Sequence, residues 1–174
     1  MTPSTQGALA LAARINQLLI APAGGKSPLT IATAESCTGG GVAAALTSLA
    51  GSSDYMMGGI VSYSNAAKAN LLGVSQEILA TRGAVSPECA RAMAEGARRA
   101  LGSDLAVSTT GIAGPGGGTA RKPVGLVYIA LADTEGASAI ELHLAGDRAA
   151  VTSAAVEAAL AMLLERIQRE VSPR

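Results

Sequence analysis

The sequence is poor in aromatic residues, histidine and cysteine. Its 174 residues contain no Phe, no Trp, three Tyr, two Cys and one His. The two cysteines, Cys37 and Cys89, form no CxxC pair, and with a single histidine they cannot complete a standard zinc site. The composition therefore indicates neither a metal centre nor a disulfide framework, and we expect a protein that works without a metal or cofactor.

An excess of one charge and long apolar runs are also lacking. Thirteen Lys and Arg balance thirteen Asp and Glu without a basic run, so a nucleic-acid surface has no electrostatic footprint. No stretch reaches the roughly eighteen apolar residues that a membrane span requires. Residues 8–20 carry Arg14 and lack a preceding positive region, which favours an amphipathic helix over a signal peptide. We expect a cytoplasmic protein that binds neither nucleic acid nor membrane.

Apolar residues are abundant enough for one sizeable core. They make up 49% of the sequence, and the length suits a single domain over residues 1–174. The last two predicted strands are joined by only the five residues 133–137, too few for a parallel crossover, so we expect a hairpin in a mixed sheet. Alternation and helical spacing predict strands near 29–34, 59–63, 105–109, 124–132 and 139–144, and helices near 8–20, 40–49, 65–72, 87–101 and 148–169.

A predicted strand–turn–helix junction at residues 34–41 carries the most informative chemistry. It places Ser36, Cys37 and Thr38 near the free N–H groups of a helix N-terminus, where the helix dipole favours developing negative charge. Ser36 is therefore a candidate nucleophile. The alternative is that Ser36 or Thr38 only caps the helix, while the glycines that follow permit close packing.

Two later segments end at the same edge of the predicted sheet. The second strand runs through Tyr63 into a helix that carries Lys68 about one turn from its start. Residues 109–119 follow the third strand and are rich in glycine, which exposes backbone N–H groups as phosphate cradles do. Ligands gather at the carboxyl ends of strands in an open α/β sheet, so these segments are positioned to complete a site with Ser36. Each also has an ordinary interpretation: a solvated lysine, a tyrosine at the core edge and a flexible surface connection.

The single histidine limits the possible mechanisms. His143 alternates with apolar residues on the last predicted strand and should point away from the core together with Glu141. A Ser-His-Asp or Cys-His mechanism would require that histidine to reach the turn at Ser36. The base for Ser36 is therefore expected to be a lysine or a tyrosine. A cysteine hydrolase that uses Cys37 is disfavoured for the same reason.

Eight motifs between Ala34 and Arg148 resemble, in order, those of the CinA C-terminal domain, the family of nicotinamide mononucleotide deamidases. The sequence departs from the family's usual pattern at Gly41 and at residues 47–49, and neither departure touches the residues discussed above. The matching motifs are residues 34–40, 51–53, 63–68, 72–74, 83–86, 110–117, 122–125 and 146–148.

The resemblance implies a three-layer α/β/α sandwich with a mixed, mostly parallel five-stranded sheet that forms a homo-oligomer, a dimer or higher. It also implies hydrolysis of the carboxamide of nicotinamide mononucleotide, a small-molecule nucleotide, to nicotinate mononucleotide and ammonia. In the family, the serine of the first motif and the lysine of the third are the proposed dyad. Here these are Ser36 and Lys68, with Tyr63 beside them.

The two lines of reasoning give one mechanism. Ser36 attacks the carboxamide carbon, a neutral Lys68 with a pKa below about 10.4 accepts its proton, and backbone N–H groups at the turn hold the oxyanion. Tyr63 would relay the proton or orient the amine. The candidates for the ribose and phosphate are Thr110, residues 111–118 and Arg148, which stands at a helix start and can bind phosphate. Glu35 and Asp147 would either pair with these cations or cap helices. The alternative function is a non-catalytic nucleotide-binding or protein-interaction module. The candidates for substrate binding are Glu35, Cys37, Thr38, Gly39, Thr110, Gly111, Gly114 and Arg148.

Overall fold

A computed structural model gives the fold of residues 3–20 and 25–171. Within these ranges the chain forms six α-helices and five β-strands. The helices are α1 (Pro3–Leu19), α2 (Gly41–Thr47), α3 (Asn65–Leu72), α4 (Gln76–Thr81), α5 (Pro87–Leu101) and α6 (Arg148–Val171). The strands are β1 (Ile31–Glu35), β2 (Met56–Val61), β3 (Leu105–Gly111), β4 (Leu126–Ala132) and β5 (Ala137–His143).

The five strands form one mixed sheet in the order β2-β1-β3-β4-β5. β1 runs parallel to β2 and β3, whereas β4 runs antiparallel to both β3 and β5. Four strands therefore point in the same direction and β4 alone is reversed. The predicted hairpin is confirmed, with the N–H of Asp133 donating to the carbonyl of Gly136 at 2.9 Å. The α/β class and the mixed, mostly parallel sheet are also confirmed.

Helices cover both faces of the sheet. On one face α1, α2 and α6 pack together and share a core that includes Ile15, Leu46 and Leu160. On the other face α5 lies across the strands, with α3 and α4 beside it. The central strands β1 and β3 are buried on both faces, which explains their nearly continuous apolar and small residues. The three-layer arrangement is confirmed.

The close contact between α3 and α5 depends on one glycine. A Cβ atom added at Gly96 in α5 would lie 2.0 Å from the carbonyl oxygen of Leu72, the last residue of α3. Real Cβ atoms do not approach a backbone oxygen this closely, so α3 can seat against α5 only because residue 96 has no side chain. This contact fixes the helix that carries Lys68.

Side chains cap the N-termini of α5 and α6. Ser86 Oγ accepts from the N–H of Cys89 at 3.2 Å at the start of α5, and Gly102 ends that helix with φ 63°. At the start of α6, Asp147 Oδ1 accepts from the N–H of Ala150 at 2.9 Å. Asp147 is therefore a cap and not the partner of a site cation.

The structure differs from the sequence prediction at β2. The strand spans Met56–Val61 and not residues 59–63, because its register with β1 ends where Val61 pairs with Glu35. Tyr63 therefore lies in the turn between β2 and α3. Glycines are poor strand formers, so Gly58 and Gly59 weaken the sequence signal for a strand that begins before residue 59.

Helix α4 was not predicted. It has only six residues, too few for a recognisable apolar stripe, although Ser75 Oγ caps it by accepting from the N–H of Ile78 at 3.2 Å. The other elements differ from their predicted ranges only at their ends. Helix α1 is the largest such case, since it begins at Pro3 rather than near residue 8.

His143 is exposed, as predicted, and lies on the edge strand β5. Its Nε2 is 2.8 Å from Glu141 Oε1, and β4 and β3 separate it from β1 and the turn at Ser36. In the described part of the chain, no group of three or more His, Cys, Asp or Glu side chains is placed to hold a metal ion. No helix in that part combines the length and apolar character needed to cross a membrane.

Candidate active site

The predicted site residues meet at the carboxyl ends of β1, β2 and β3, where an α/β sheet places its ligands. A pocket of about 260 Å³ lies there, which we name the Ser36–Lys68 pocket. Eight of the eleven candidates line it: Ser36, Cys37, Tyr63, Lys68, Thr110, Gly111, Gly114 and Arg148. The other three, Glu35, Thr38 and Gly39, lie in the adjacent turn and do not line the pocket, so their part in substrate binding stays a prediction.

The buried carboxylate of Glu35 organises this turn. It accepts from the N–H groups of Gly40 at 2.9 Å, Val42 at 3.1 Å and Ala43 at 2.8 Å, and from the hydroxyl of Thr38 at 2.7 Å. These bonds satisfy the first N–H groups of α2 with a negative charge, as the helix dipole favours. Glu35 is therefore the helix cap, and none of its bonds goes to a cation.

The side chain of Ser36 does not cap α2, because Glu35 accepts from the N–H groups there. The backbone N–H of Ser36 donates to the carbonyl of Thr109 at 3.0 Å, and the turn then passes through Gly39 and Gly40, whose φ angles are 62° and 101°. Both angles are in the left-handed region that favours glycine. Because Glu35 caps α2, the hydroxyl of Ser36 remains available for the pocket.

That hydroxyl contacts Lys68 of α3. Lys68 is a fully buried lysine, 1% exposed, whose Nζ lies 2.9 Å from Ser36 Oγ. Lys68 Nζ donates to the carbonyl oxygens of Ser62 at 2.6 Å and Tyr63 at 3.4 Å. Among the residues that the structure describes, no carboxylate forms a salt bridge with Lys68. Burial lowers the pKa of the Lys68 amine, since desolvation disfavours its charged form.

Cys37 is next to Ser36 but is a poor nucleophile. Its side chain is 8% exposed, and burial raises the pKa of the thiol to about 11. The thiolate is the reactive form of cysteine, so Cys37 is almost entirely in its unreactive form near neutral pH. The geometry favours Ser36 over Cys37 as the attacking group.

Tyr63 and Arg148 form the mouth of the pocket. Arg148 Nη2 donates to the Tyr63 hydroxyl at 3.0 Å, and Arg148 Nη1 donates to the carbonyl of Gly114 at 2.9 Å. The Tyr63 side chain is 63% exposed and directs its hydroxyl towards Arg148. The Tyr63 phenol therefore contacts Arg148, whereas the contact of Tyr63 with the Lys68 amine is made by its carbonyl oxygen.

The glycine-rich residues 111–118, which we name the glycine loop, form one wall. A Cβ atom at Gly111 would lie 2.7 Å from the carbonyl oxygen of Leu126, so this position requires glycine. Thr110 lines the pocket, but its hydroxyl donates to the carbonyl of Ala84 at 2.7 Å. Thr110 therefore binds Ala84, which lies in the pocket wall that faces the glycine loop.

Two parts of the site were not predicted from the sequence. One is the pocket wall that faces the glycine loop, and the other is the pair of main-chain carbonyls that contact Lys68. Ala84 and Val85 line the pocket directly before α5. They belong to a motif, 83–86, that was recognised without a role. The carbonyl oxygens of Ser62 and Tyr63 carry no side-chain signal at all, and only the placement of β2 and α3 shows them.

The fold and the site together define a class: a three-layer α/β/α domain with a buried serine–lysine contact in a glycine-lined pocket. The chain belongs to the CinA family: the model of the CinA C-terminal domain matches residues 10–167. The structure is similar to that of the competence/damage inducible protein CihA from Agrobacterium tumefaciens, with a TM-score of 0.85 and 45% identity over 91% of this chain and 94% of that one. A CinA superfamily protein from Escherichia coli matches with a TM-score of 0.85 and 34% identity, over 95% of this chain and 93% of that one.

The curated relatives are longer than this chain. A CinA-like protein from Geobacter sulfurreducens is 53% identical over 139 residues, which are 80% of this chain and 34% of that relative. The chain thus spans about a third of the length of such relatives. What the similarity establishes is the family of this domain.

The role of Glu35 gives the first testable prediction. Glu35→Gln should lower the free energy of unfolding by about 2–3 kcal/mol, since an amide replaces a charged acceptor of several hydrogen bonds and turns an N–H group towards other N–H groups. Urea denaturation measures this loss. Glu77→Gln, at an exposed position in the first turn of α4, is the matched control and should change stability by less than about 0.5 kcal/mol. Equal effects of the two changes would contradict the capping role.

Proposed function

We propose that this protein hydrolyses the carboxamide of nicotinamide mononucleotide to nicotinate mononucleotide and ammonia through a covalent Ser36 intermediate. The observation that carries the proposal is the 2.9 Å contact between Ser36 Oγ and the Nζ of a fully buried Lys68. An activated nucleophile needs a base within hydrogen-bond reach that is held in place by further groups. The identity of the substrate rests on the resemblance of the motifs to the deamidase family.

The surroundings of Lys68 suit a proton acceptor. A neutral amine has two N–H groups and one lone pair, and the carbonyl oxygens of Ser62 and Tyr63 are two acceptors for those N–H groups. The lone pair is then directed towards Ser36 Oγ. Burial favours the neutral form that this arrangement requires.

The reaction follows from this geometry. Ser36 Oγ forms a bond to the carboxamide carbon while its proton passes to Lys68, which leaves a tetrahedral oxyanion. Lys68 returns the proton to the nitrogen, the C–N bond breaks, and ammonia departs. Water then attacks the acyl-enzyme, its proton passes through Lys68 to Ser36 Oγ, and nicotinate mononucleotide leaves. Glu35 already binds the N–H groups of Gly40, Val42 and Ala43, so we assign the oxyanion to the N–H groups of Cys37 and Thr38.

Arg148 is our candidate for the substrate phosphate. Its guanidinium contacts two neutral groups, the Gly114 carbonyl and the Tyr63 hydroxyl, and forms no salt bridge among the described residues. It therefore has a positive charge that no described carboxylate offsets. A guanidinium binds phosphate with parallel hydrogen bonds, and the glycine loop beside it can approach a ligand closely.

The nucleophile is tested first. Wild-type protein should release ammonia from nicotinamide mononucleotide, and Ser36→Ala should reduce the rate by roughly 10³-fold or more because the attacking atom is gone. Cys37→Ala is the neighbouring control and should keep most of the activity. The measurement is ammonia release, after circular dichroism has shown that both variants fold. The opposite ranking would assign the chemistry to the thiol, and nucleotide binding without ammonia release by the wild type would favour a non-catalytic module.

The base is tested by its pH dependence. Because burial lowers the Lys68 pKa and the neutral amine is the active form, kcat/KM should rise with pH and level off at a midpoint below that of an ordinary lysine. Lys68→Arg should be inactive, since a guanidinium does not give up its proton in this range. Initial rates across pH on the wild type and the variant decide the question. Substantial activity of Lys68→Arg would refute the role.

The phosphate contact is tested by comparing substrates. Arg148→Ala should reduce kcat/KM for nicotinamide mononucleotide by on the order of 2–3 kcal/mol in transition-state stabilisation, as expected for a charged hydrogen-bonded contact. Residual turnover of free nicotinamide, which has no phosphate, should change little. Arg121→Ala removes an exposed cation that does not line the pocket and serves as the control for net charge. Equal losses on both substrates would mean that Arg148 supports the pocket rather than the phosphate.

A further inference from the structure

The wall of the Ser36–Lys68 pocket that faces the glycine loop is held by an unusual set of bonds. This segment, Arg82–Val85, joins α4 to α5, and its residues Ala84 and Val85 line the pocket. We name it the 82–85 wall. It has no strand or helix of its own to fix it, because α4 ends at Thr81 and α5 begins at Pro87.

Side chains bind the carbonyl oxygens of four consecutive residues in and beside this wall. Lys122 Nζ donates to the carbonyls of Arg82 and Val85, each at 2.7 Å. Thr110 Oγ1 donates to the carbonyl of Ala84 at 2.7 Å, and the carbonyl of Gly83 accepts from Ser86 Oγ at 2.8 Å. Three of these four bonds come from donors that are distant in sequence, and Lys122 supplies two of them.

Lys122 lies just after the glycine loop, in a tight reverse turn with Thr119. Its backbone N–H donates to Thr119 Oγ1 at 3.0 Å, and the N–H of Thr119 donates to the Lys122 carbonyl at 2.8 Å. The ammonium group reaches the 82–85 wall so closely that a Cβ atom at Gly83 would be 3.2 Å from Nζ. Gly83 also has a φ of 79°, which favours glycine.

We propose that Lys122 is a positioning residue for the Ser36–Lys68 pocket. It connects the turn that follows the glycine loop to the 82–85 wall and thereby sets the distance between the two walls that enclose the substrate. Two of its three N–H donors bind carbonyl oxygens, so its charge serves this connection and not the substrate phosphate. The kinetic consequence rests on the proposed function, whereas the connection itself does not.

The kinetic test uses Lys122→Met, which keeps the length of the side chain and removes its donors. We expect KM for nicotinamide mononucleotide to rise about tenfold, because hydrogen bonds to a charged group are lost from a binding wall. The pH midpoint of kcat/KM should stay unchanged, since Ser36, Lys68 and the Ser62 carbonyl lie on other segments. Arg121→Met removes the adjacent exposed cation and should leave KM unchanged. An unchanged KM in Lys122→Met would overturn the proposal.

Hydrogen–deuterium exchange tests the connection without any assay of activity. The N–H groups of Arg82 and Gly83 both donate to the Ile78 carbonyl at 2.9 Å, and they should exchange faster in Lys122→Met than in the wild type or in Arg121→Met. Unchanged exchange there would overturn the proposal, even if the wild type proved inactive on the mononucleotide. Faster exchange with an inactive wild type would instead refute only the proposed function. If Lys122→Met fails to fold, Lys122→Gln, which keeps shorter donors, should give the same changes at smaller size.

Discussion

The arrangement of the site depends on one buried carboxylate. Glu35, the last residue of β1, binds the Thr38 hydroxyl and the N–H groups of Gly40, Val42 and Ala43, and so fixes both the turn after β1 and the start of α2. Without this acceptor, the N–H groups at the start of α2 would need another partner, such as a hydroxyl group from the turn. Because Glu35 satisfies them, Ser36 can face Lys68.

Burial gives the two cations of the pocket different properties. Lys68 is enclosed by α3 and the strand ends, and this burial lowers the pKa of its amine. Arg148 lies at the mouth, where its guanidinium contacts neutral oxygens. The same small pocket can therefore offer a proton acceptor at one end and a positive charge at the other. This division matches a substrate that has a reactive amide and a distant anionic group.

The sequence predicted what depends on local pattern and on side-chain identity. The α/β class, the hairpin and the placement of Ser36 and Lys68 at one edge of the sheet all follow from periodicity, punctuation and the rule for strand ends. It did not predict α4, which is too short for a stripe, or the true range of β2, which is set by pairing with β1. Glu35 was weighed as a cation partner or a cap, and only tertiary geometry decides between the two. The carbonyl oxygens that contact Lys68 could not be predicted, because every residue has a carbonyl and the sequence does not distinguish one from another.

The main-chain carbonyl oxygens that hold Lys68 have a consequence for how the site can change by mutation. Lys68 is oriented by the main chain at Ser62 and Tyr63, so its geometry does not depend on which side chains occupy these two positions. The Tyr63 side chain points instead to the mouth and to Arg148. Mutation at residue 63 can therefore change the mouth of the pocket while Lys68 keeps its place beside Ser36. Under the proposed function, such a change would alter which ligands enter the pocket and leave its proton acceptor intact.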